Sequence, residues 1–249
     1  MNEAIALLSQ QANWKLRTLL QTRRNFTVDE IMCLFKSRIL SYIEYRTPAI
    51  YHACSTHLGQ IDAILKRLLR TFGISEVEAL MNFRLAPLQS RRDMGMLGVI
   101  HRSVLGDGPD QFAKYFVRKH GGATYHGREA GRQHSKQLIT HRTGKFLDVL
   151  SHSLLGLVDI YNLLPEYIVS ATTVSEFQKM LQQLIMKMAA CNQEGWQQMY
   201  SPRNSLWNNH LRKLQGWCPE QPRAKNSEAV KPTGLENLFH LCQHGGLGN

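Results

Sequence analysis

The chain has 249 residues, enough for one large domain or two small ones, and 43 % of them are hydrophobic, so a folded core is expected and disorder throughout is not. Thirty Lys and Arg against 19 Asp and Glu leave a formal charge of +11 with the 11 His neutral. That excess attracts polyanions, whether nucleic acid, an anionic membrane surface or an acidic partner.

The five cysteines, Cys33, Cys54, Cys191, Cys218 and Cys242, are odd in number, far apart and without a C-x-x-C spacing. They point to an intracellular, reducing compartment, nuclear or cytoplasmic, rather than to a disulfide framework. Cys33 and Cys54 read most simply as small buried hydrophobes. The N-terminal MNEAIALLSQQ lacks the basic and apolar regions of a secretory leader. The most apolar stretch, Leu154 to Leu164, is short and holds Asp159 and Asn162, so no bilayer-spanning segment and no membrane partner are expected.

Residues 2 to 21 contain no Gly or Pro and carry apolar residues at helical spacing. Thr27 to Glu30 has the pattern of a capping box, in which the Thr oxygen accepts a backbone N–H and the Glu reaches back. The helix it opens places Ile31, Leu34, Phe35, Tyr42 and Ile43 on one stripe, and Pro48 should end or kink it. Ile61, Ile64, Leu65, Leu68, Leu69 and Phe72 form the clearest amphipathic face, with Gly73 where a C-cap belongs. A further helix is predicted from about Leu88 to Leu105, with Met94, Leu97, His101, Val104 and Leu105 on one side and His101 as a core or interface histidine. Gly106 to Pro109 breaks it, and a short helix over Gln111 to Phe116 follows.

Residues 118–145 hold seven Lys or Arg, four His and one acid, and read as an exposed basic loop at a domain boundary. Helical pattern resumes over Phe146 to Leu164. A second capping box at Thr173 to Glu176 opens a helix with Phe177, Leu181, Leu184, Ile185 and Met188 on one face, and Leu206 to Leu214 is the last clear element. The expected organisation is an all-α fold: a helical domain over 1–117, a basic linker over 118–145, a second helical region over 146–215 and a disordered tail over 216–249.

Catalytic chemistry finds little footing. Of the seven Asp only Asp29 adjoins another carboxylate, Glu30 of the capping box, whereas a two-metal phosphoryl-transfer site would favour clustered carboxylates, and Glu76 and Glu78 are two apart, which points them different ways on a helix. No phosphate-binding or nucleophile-elbow motif is present, and no cofactor is expected. Cys218, His240, Cys242 and His244 could supply four zinc ligands, but their spacing matches no usual knuckle or finger. The basic residues are more suggestive. Lys15, Arg17, Arg23, Arg24, Lys36, Arg38 and Arg46 are interleaved with Tyr42 and Tyr45, as on a surface that meets a phosphate backbone. Arg91 and Arg92 stand near a helix start, where cations oppose the helix dipole and an anion outside would offset the penalty.

WKLRTLLQTRR (Trp14 to Arg24), LFKSRILSYIEYRTPAIYHA (Leu34 to Ala53), ILKRLLRTFG (Ile64 to Gly73) and LAPLQSRRDMGMLGVIHR (Leu85 to Arg102) resemble the segment downstream of the palm in non-LTR (LINE-type) retrotransposon reverse transcriptases. LLGLVDIYNLLPEYIV and TVSEFQKMLQQLI resemble the C-terminal extension of some such elements, of a kind associated with protists such as dinoflagellates. The resemblance implies a thumb-like helical bundle that grips an RNA–DNA hybrid through its backbone and packs against a palm. The palm, with its tyrosine-x-Asp-Asp turn, has no counterpart in this sequence, so no catalytic residue carries over and no polymerase activity is expected of the chain alone. The rival expectation is a stand-alone helical module that binds a protein partner.

Overall fold

The computed structural model describes residues 2–119, 134–140, 152–203, 209, 211 and 212. The fold is all-α: every regular element among the described residues is helical, and an isolated antiparallel bridge joins Arg118 to Leu138. The expected tail at 216–249, the zinc candidates and most of the basic stretch lie outside the described residues. So does most of Leu206 to Leu214.

Helix α1 (Asn2–Gln21) turns through a 3-10 segment, Arg23–Asn25, into α2 (Val28–Phe35). Thr27 caps α2 as its pattern predicts: its oxygen accepts from Glu30 N–H, and the Glu30 carboxylate accepts from Thr27 N–H at 2.7 Å. A π-helical turn, Lys36–Leu40, links α2 to α3 (Ser41–Tyr45), and Pro48 sits in the first turn of the short α4 (Thr47–Ile50).

The π turn corrects the single stripe expected over this segment. In a straight helix Arg38 would fall two turns on from Ile31, on the buried face, and Leu40 would fall opposite. The Ser41 N–H instead reaches back to Lys36 C=O, five residues away, and the wider turn lets the following residues lag. Ile39 and Leu40 are thereby buried, and Arg38 is left in solvent.

Helix α5 (Ser55–Phe72) buries Ile61, Ile64, Leu65, Leu68 and Leu69, chiefly against α1. It ends at Gly73, whose φ of 66° is the left-handed cap that a side chain would strain. Helix α6 (Glu76–Phe83) also opens on a capping box, at Ser75 and Glu78. Ser75 Oγ accepts from Glu78 N–H at 3.1 Å, and the Glu78 carboxylate accepts from Ser75 N–H at 3.0 Å. Ser75→Ala is expected to lower stability by about 1 kcal/mol in a urea titration, since it removes the acceptor for that N–H.

Helix α7 (Leu88–Leu105) is the element on which the fold turns. After it come α8 (Asp110–Ala113), α9 (Leu157–Asn162), α10 (Glu166–Val169) and α11 (Val174–Ala190). Thr173 caps α11, although the Glu176 carboxylate accepts from Thr172 N–H rather than from Thr173. The apolar side chains gather into two clusters. One joins α1, α2, α3 and α5 and takes in Ala79, Leu85 and Leu88. The other joins Leu97, Ile100 and Val104 of α7 to Val158 and Tyr161 of α9 and to Phe177, Leu181 and Ile185 of α11.

The expected division at 118–145 therefore does not separate two cores. Helix α7, assigned to the first domain, supplies one wall of the core that 146–215 needs, because the faces of α9 and α11 have their apolar partner there. The described residues form a single compact unit. Within the basic stretch, His134 and Leu138 are buried in it. No helix of the described residues is long and apolar enough to cross a membrane.

Candidate nucleic-acid interface

Helices α1 and α3 bring part of the basic set together around one ring. Lys15 Nζ lies 4.7 Å from the centroid of Tyr42, and the Arg46 guanidinium carbon lies 4.0 Å from it. Two cations over one aromatic ring gain from its quadrupole and keep their charged heads toward solvent. The Tyr42 hydroxyl donates to Gln11 Oε1, which ties α3 to α1, and Arg46 Nη1 donates to the Tyr42 carbonyl at 3.4 Å. Each cation has an exposed aromatic neighbour in sequence: Trp14 is 68 % exposed and Tyr45 85 %.

Arg17 is exposed on α1, and Arg23 and Arg24 are exposed in the 3-10 segment that follows it. Arg38 is held out by the π turn, and Lys36 is half-buried. The outer side of α1 is not wholly polar. Leu7 is exposed as well as Trp14, one heptad apart, over a sealed inner face of Ile5, Leu8, Ala12 and Leu16.

Arg91 and Arg92 do not join this group. Arg92 is 3 % exposed and forms a two-pronged ion pair with Asp62 of α5, Nη1 to Oδ1 at 2.6 Å and Nη2 to Oδ2 at 2.9 Å. Arg91 Nε pairs with Glu44 Oε1 at 2.5 Å. The anions that offset these cations at the start of α7 are thus the protein's own carboxylates, and Arg92 is spent inside the fold. The partner carboxylates lie 30 and 47 residues away in sequence, where spacing arguments do not reach.

A polar group that the sequence gives no signal for sits beside this pair. Asp93 is buried and accepts from the Tyr51 hydroxyl at 2.7 Å, and Arg203 donates to the carbonyls of Tyr51 and Ala53. Burial pushes the Asp93 carboxyl up to about 7, against the opposing pull of the Tyr51 hydrogen bond and of Arg92 and Arg203.

No protein-family model matches the chain, and no curated protein or solved structure matches it either.

The histidine expectation is met with one addition. His101 is fully buried, as a core residue, and makes two hydrogen bonds. Its Nε2 lies 3.1 Å from the Ala171 carbonyl, which can only accept, so Nε2 carries the proton and Nδ1 accepts from the Tyr161 hydroxyl at 2.9 Å. The ring stacks on Phe177 with centroids 4.1 Å apart. Burial lowers its pKa to about 4.

Cys33 and Cys54 are both exposed rather than buried. Cys33 falls on the solvent side of α2. Cys54 occupies the N-cap position of α5, with His57 Nδ1 2.6 Å from its sulfur. The hydrogen bond from the His57 side chain, then that from the His57 backbone N–H, holds the thiol below its ordinary range. Glu76 and Glu78, weighed as metal ligands, have other roles: Glu78 caps α6, and Glu76 accepts from Gln197 at 3.5 Å.

Chemically, the Lys15, Tyr42 and Arg46 group suits a backbone phosphate better than a reacting substrate. It offers fixed cations on an open surface, with stacking surfaces beside them, and no acid–base pair.

Proposed function

We propose that the chain is a thumb-like segment of a non-LTR retrotransposon reverse transcriptase, without polymerase activity of its own, that holds nucleic acid by its backbone irrespective of sequence. One observation carries the binding part: Lys15 and Arg46 converge on Tyr42, with Arg17 exposed on α1, Arg23 and Arg24 exposed in the 3-10 segment after it, and Arg38 exposed in the π turn before α3. The retrotransposon part is supported by the resemblance of Trp14 to Arg24, Leu34 to Ala53 and Leu85 to Arg102, and by the all-α fold. A polymerase thumb has to accept every sequence that the enzyme copies, and phosphate contacts carry no sequence information.

The test is a fluorescence titration of an RNA–DNA hybrid and of DNA duplexes differing in base composition, over a range of salt. Affinity is expected to fall steeply with salt, with a slope of log K against log salt near roughly −4 to −5 for five phosphate contacts. Composition should matter little. Lys15→Glu with Arg46→Glu should weaken every duplex alike and flatten the slope, and so should Arg23→Glu with Arg24→Glu. The basic stretch is a rival source of the same behaviour. Its control is replacement of Lys119, Arg128, Arg132 and Lys145 by Gln, which spares the buried His134 and Leu138. A flat salt response in the intact chain removes the reading.

A second reading, a stand-alone helical module for a protein partner, is favoured by the exposed Leu7 and Trp14 on one side of α1. It is distinguished by the same titration, in which it gives no salt-dependent binding.

A further inference from the structure

Two exposed aromatic rings flank the cations around Tyr42. Helices α1 and α3 are joined there by the hydrogen bond from the Tyr42 hydroxyl to the Gln11 side chain. Residues three and four apart on a helix are surface neighbours. Counted from Gln11, these are Trp14 and Lys15 on α1; counted from Tyr42, they are Tyr45, the last residue of α3, and Arg46, its C-cap. Each side of the join thus carries one ring and one cation.

The rings differ in what they can still hold. Tyr42 is engaged by both cations, with Lys15 Nζ 4.7 Å and the Arg46 guanidinium carbon 4.0 Å from its centroid. Trp14 and Tyr45 are largely open to solvent. Leu7, four residues before Gln11, continues the apolar strip beside Trp14 and is exposed as well.

A duplex makes little use of such rings, because its bases already stack on one another and its rim is phosphate. An unpaired base has two bare faces, and either is attracted to an aromatic ring whatever the base. Cations interleaved with open rings are therefore the chemistry of a surface for unpaired strands.

We propose that this surface takes single-stranded nucleic acid, with phosphates against Lys15 and Arg46 and unpaired bases stacked on Trp14 and Tyr45. The proposal rests on the backbone-binding reading above and narrows it to the unpaired strand.

The probes are a fluorescent single strand of mixed sequence and the duplex that it forms with its complement, each titrated with the intact chain over a range of salt. Cations alone would favour the duplex, whose charge is the denser. The single strand is nevertheless expected to bind more tightly, by about fivefold or more for each stacked base. Its advantage should widen as salt is added, since stacking is not screened and a single strand releases fewer counterions per contact. Trp14→Ala and Tyr45→Ala should each weaken the single strand about fivefold or more, leave the duplex within about twofold and, at exposed positions, keep the unfolding midpoint. Trp14→Phe should retain most of the affinity and Trp14→Leu should not, which separates stacking from apolar contact alone. Lys15→Glu with Arg46→Glu should weaken both probes. If the duplex binds with a steep salt slope, three results each overturn this proposal and leave the backbone reading standing: no preference for the single strand, a single-strand affinity unchanged by Trp14→Ala or by Tyr45→Ala, or Trp14→Leu equal to Trp14→Phe. Binding of neither probe overturns both.

Discussion

Leu97→Ala is expected to lower the unfolding free energy by about 2–5 kcal/mol and to shift the whole unfolding curve rather than one part of it. Leu97 is fully buried at the middle of α7, in the cluster that also holds Val158, Tyr161, Phe177 and Leu181. Removing its branched end leaves a void among side chains from three helices, and helix backbones so tightly held relax only partly into it. The loss should reach both ends of the described chain, because Leu88 at the start of the same helix belongs to the other cluster. Urea curves from the buried Trp196 and from far-ultraviolet circular dichroism should therefore coincide in wild type and in the variant. Two separated transitions, with only one displaced by Leu97→Ala, would show that the halves on either side of 118–145 fold independently.

The second large effect is on pH dependence. His101 is held neutral by burial, with its pKa lowered from 6.5 to about 4. Below pH 6.5 the unfolded chain takes up a proton at this residue and the folded chain does not until about pH 4. The stability tied to the neutral ring is thus complete above 6.5 and is lost as pH falls through that window. The displacement corresponds to at most about 3 kcal/mol. His101→Gln has no titrating ring, so the stability difference between wild type and variant should narrow by that order between pH 7 and pH 4.

Asp93 acts in the opposite sense. Its carboxyl, raised from 3.8 to about 7, stays protonated in the folded chain while the unfolded chain ionises. Its contribution is complete below 3.8 and is lost as pH rises to about 7. The wild-type profile should be flatter than that of either variant, and Asp93→Asn should unmask the acid loss due to His101. A stability difference between wild type and His101→Gln that is constant from pH 7 to pH 4 would contradict the buried neutral imidazole.

The parts of this protein legible in its sequence are those whose causes are local. The Ile61 to Phe72 stripe, the Gly73 stop, the Thr27 cap and the break after Leu105 are each set by residues within a turn or two of one another, through i to i−4 bonds, capping oxygens and the φ angles open to glycine. Periodicity also placed His101 on an inner face.

What it could not determine is which surface each face would meet. That Arg92 is spent on Asp62, and that Tyr51 meets Asp93, depends on helices that only the packed chain brings together. The same holds for α7, whose side chains are divided between two cores. Tertiary packing also bent a local rule. The π turn at Lys36–Leu40 costs regular helical bonding, and it persists because it puts Ile39 and Leu40 into the core while leaving Arg38 in water. Charge and periodicity are properties of residue types, whereas pairing and burial are properties of positions in space.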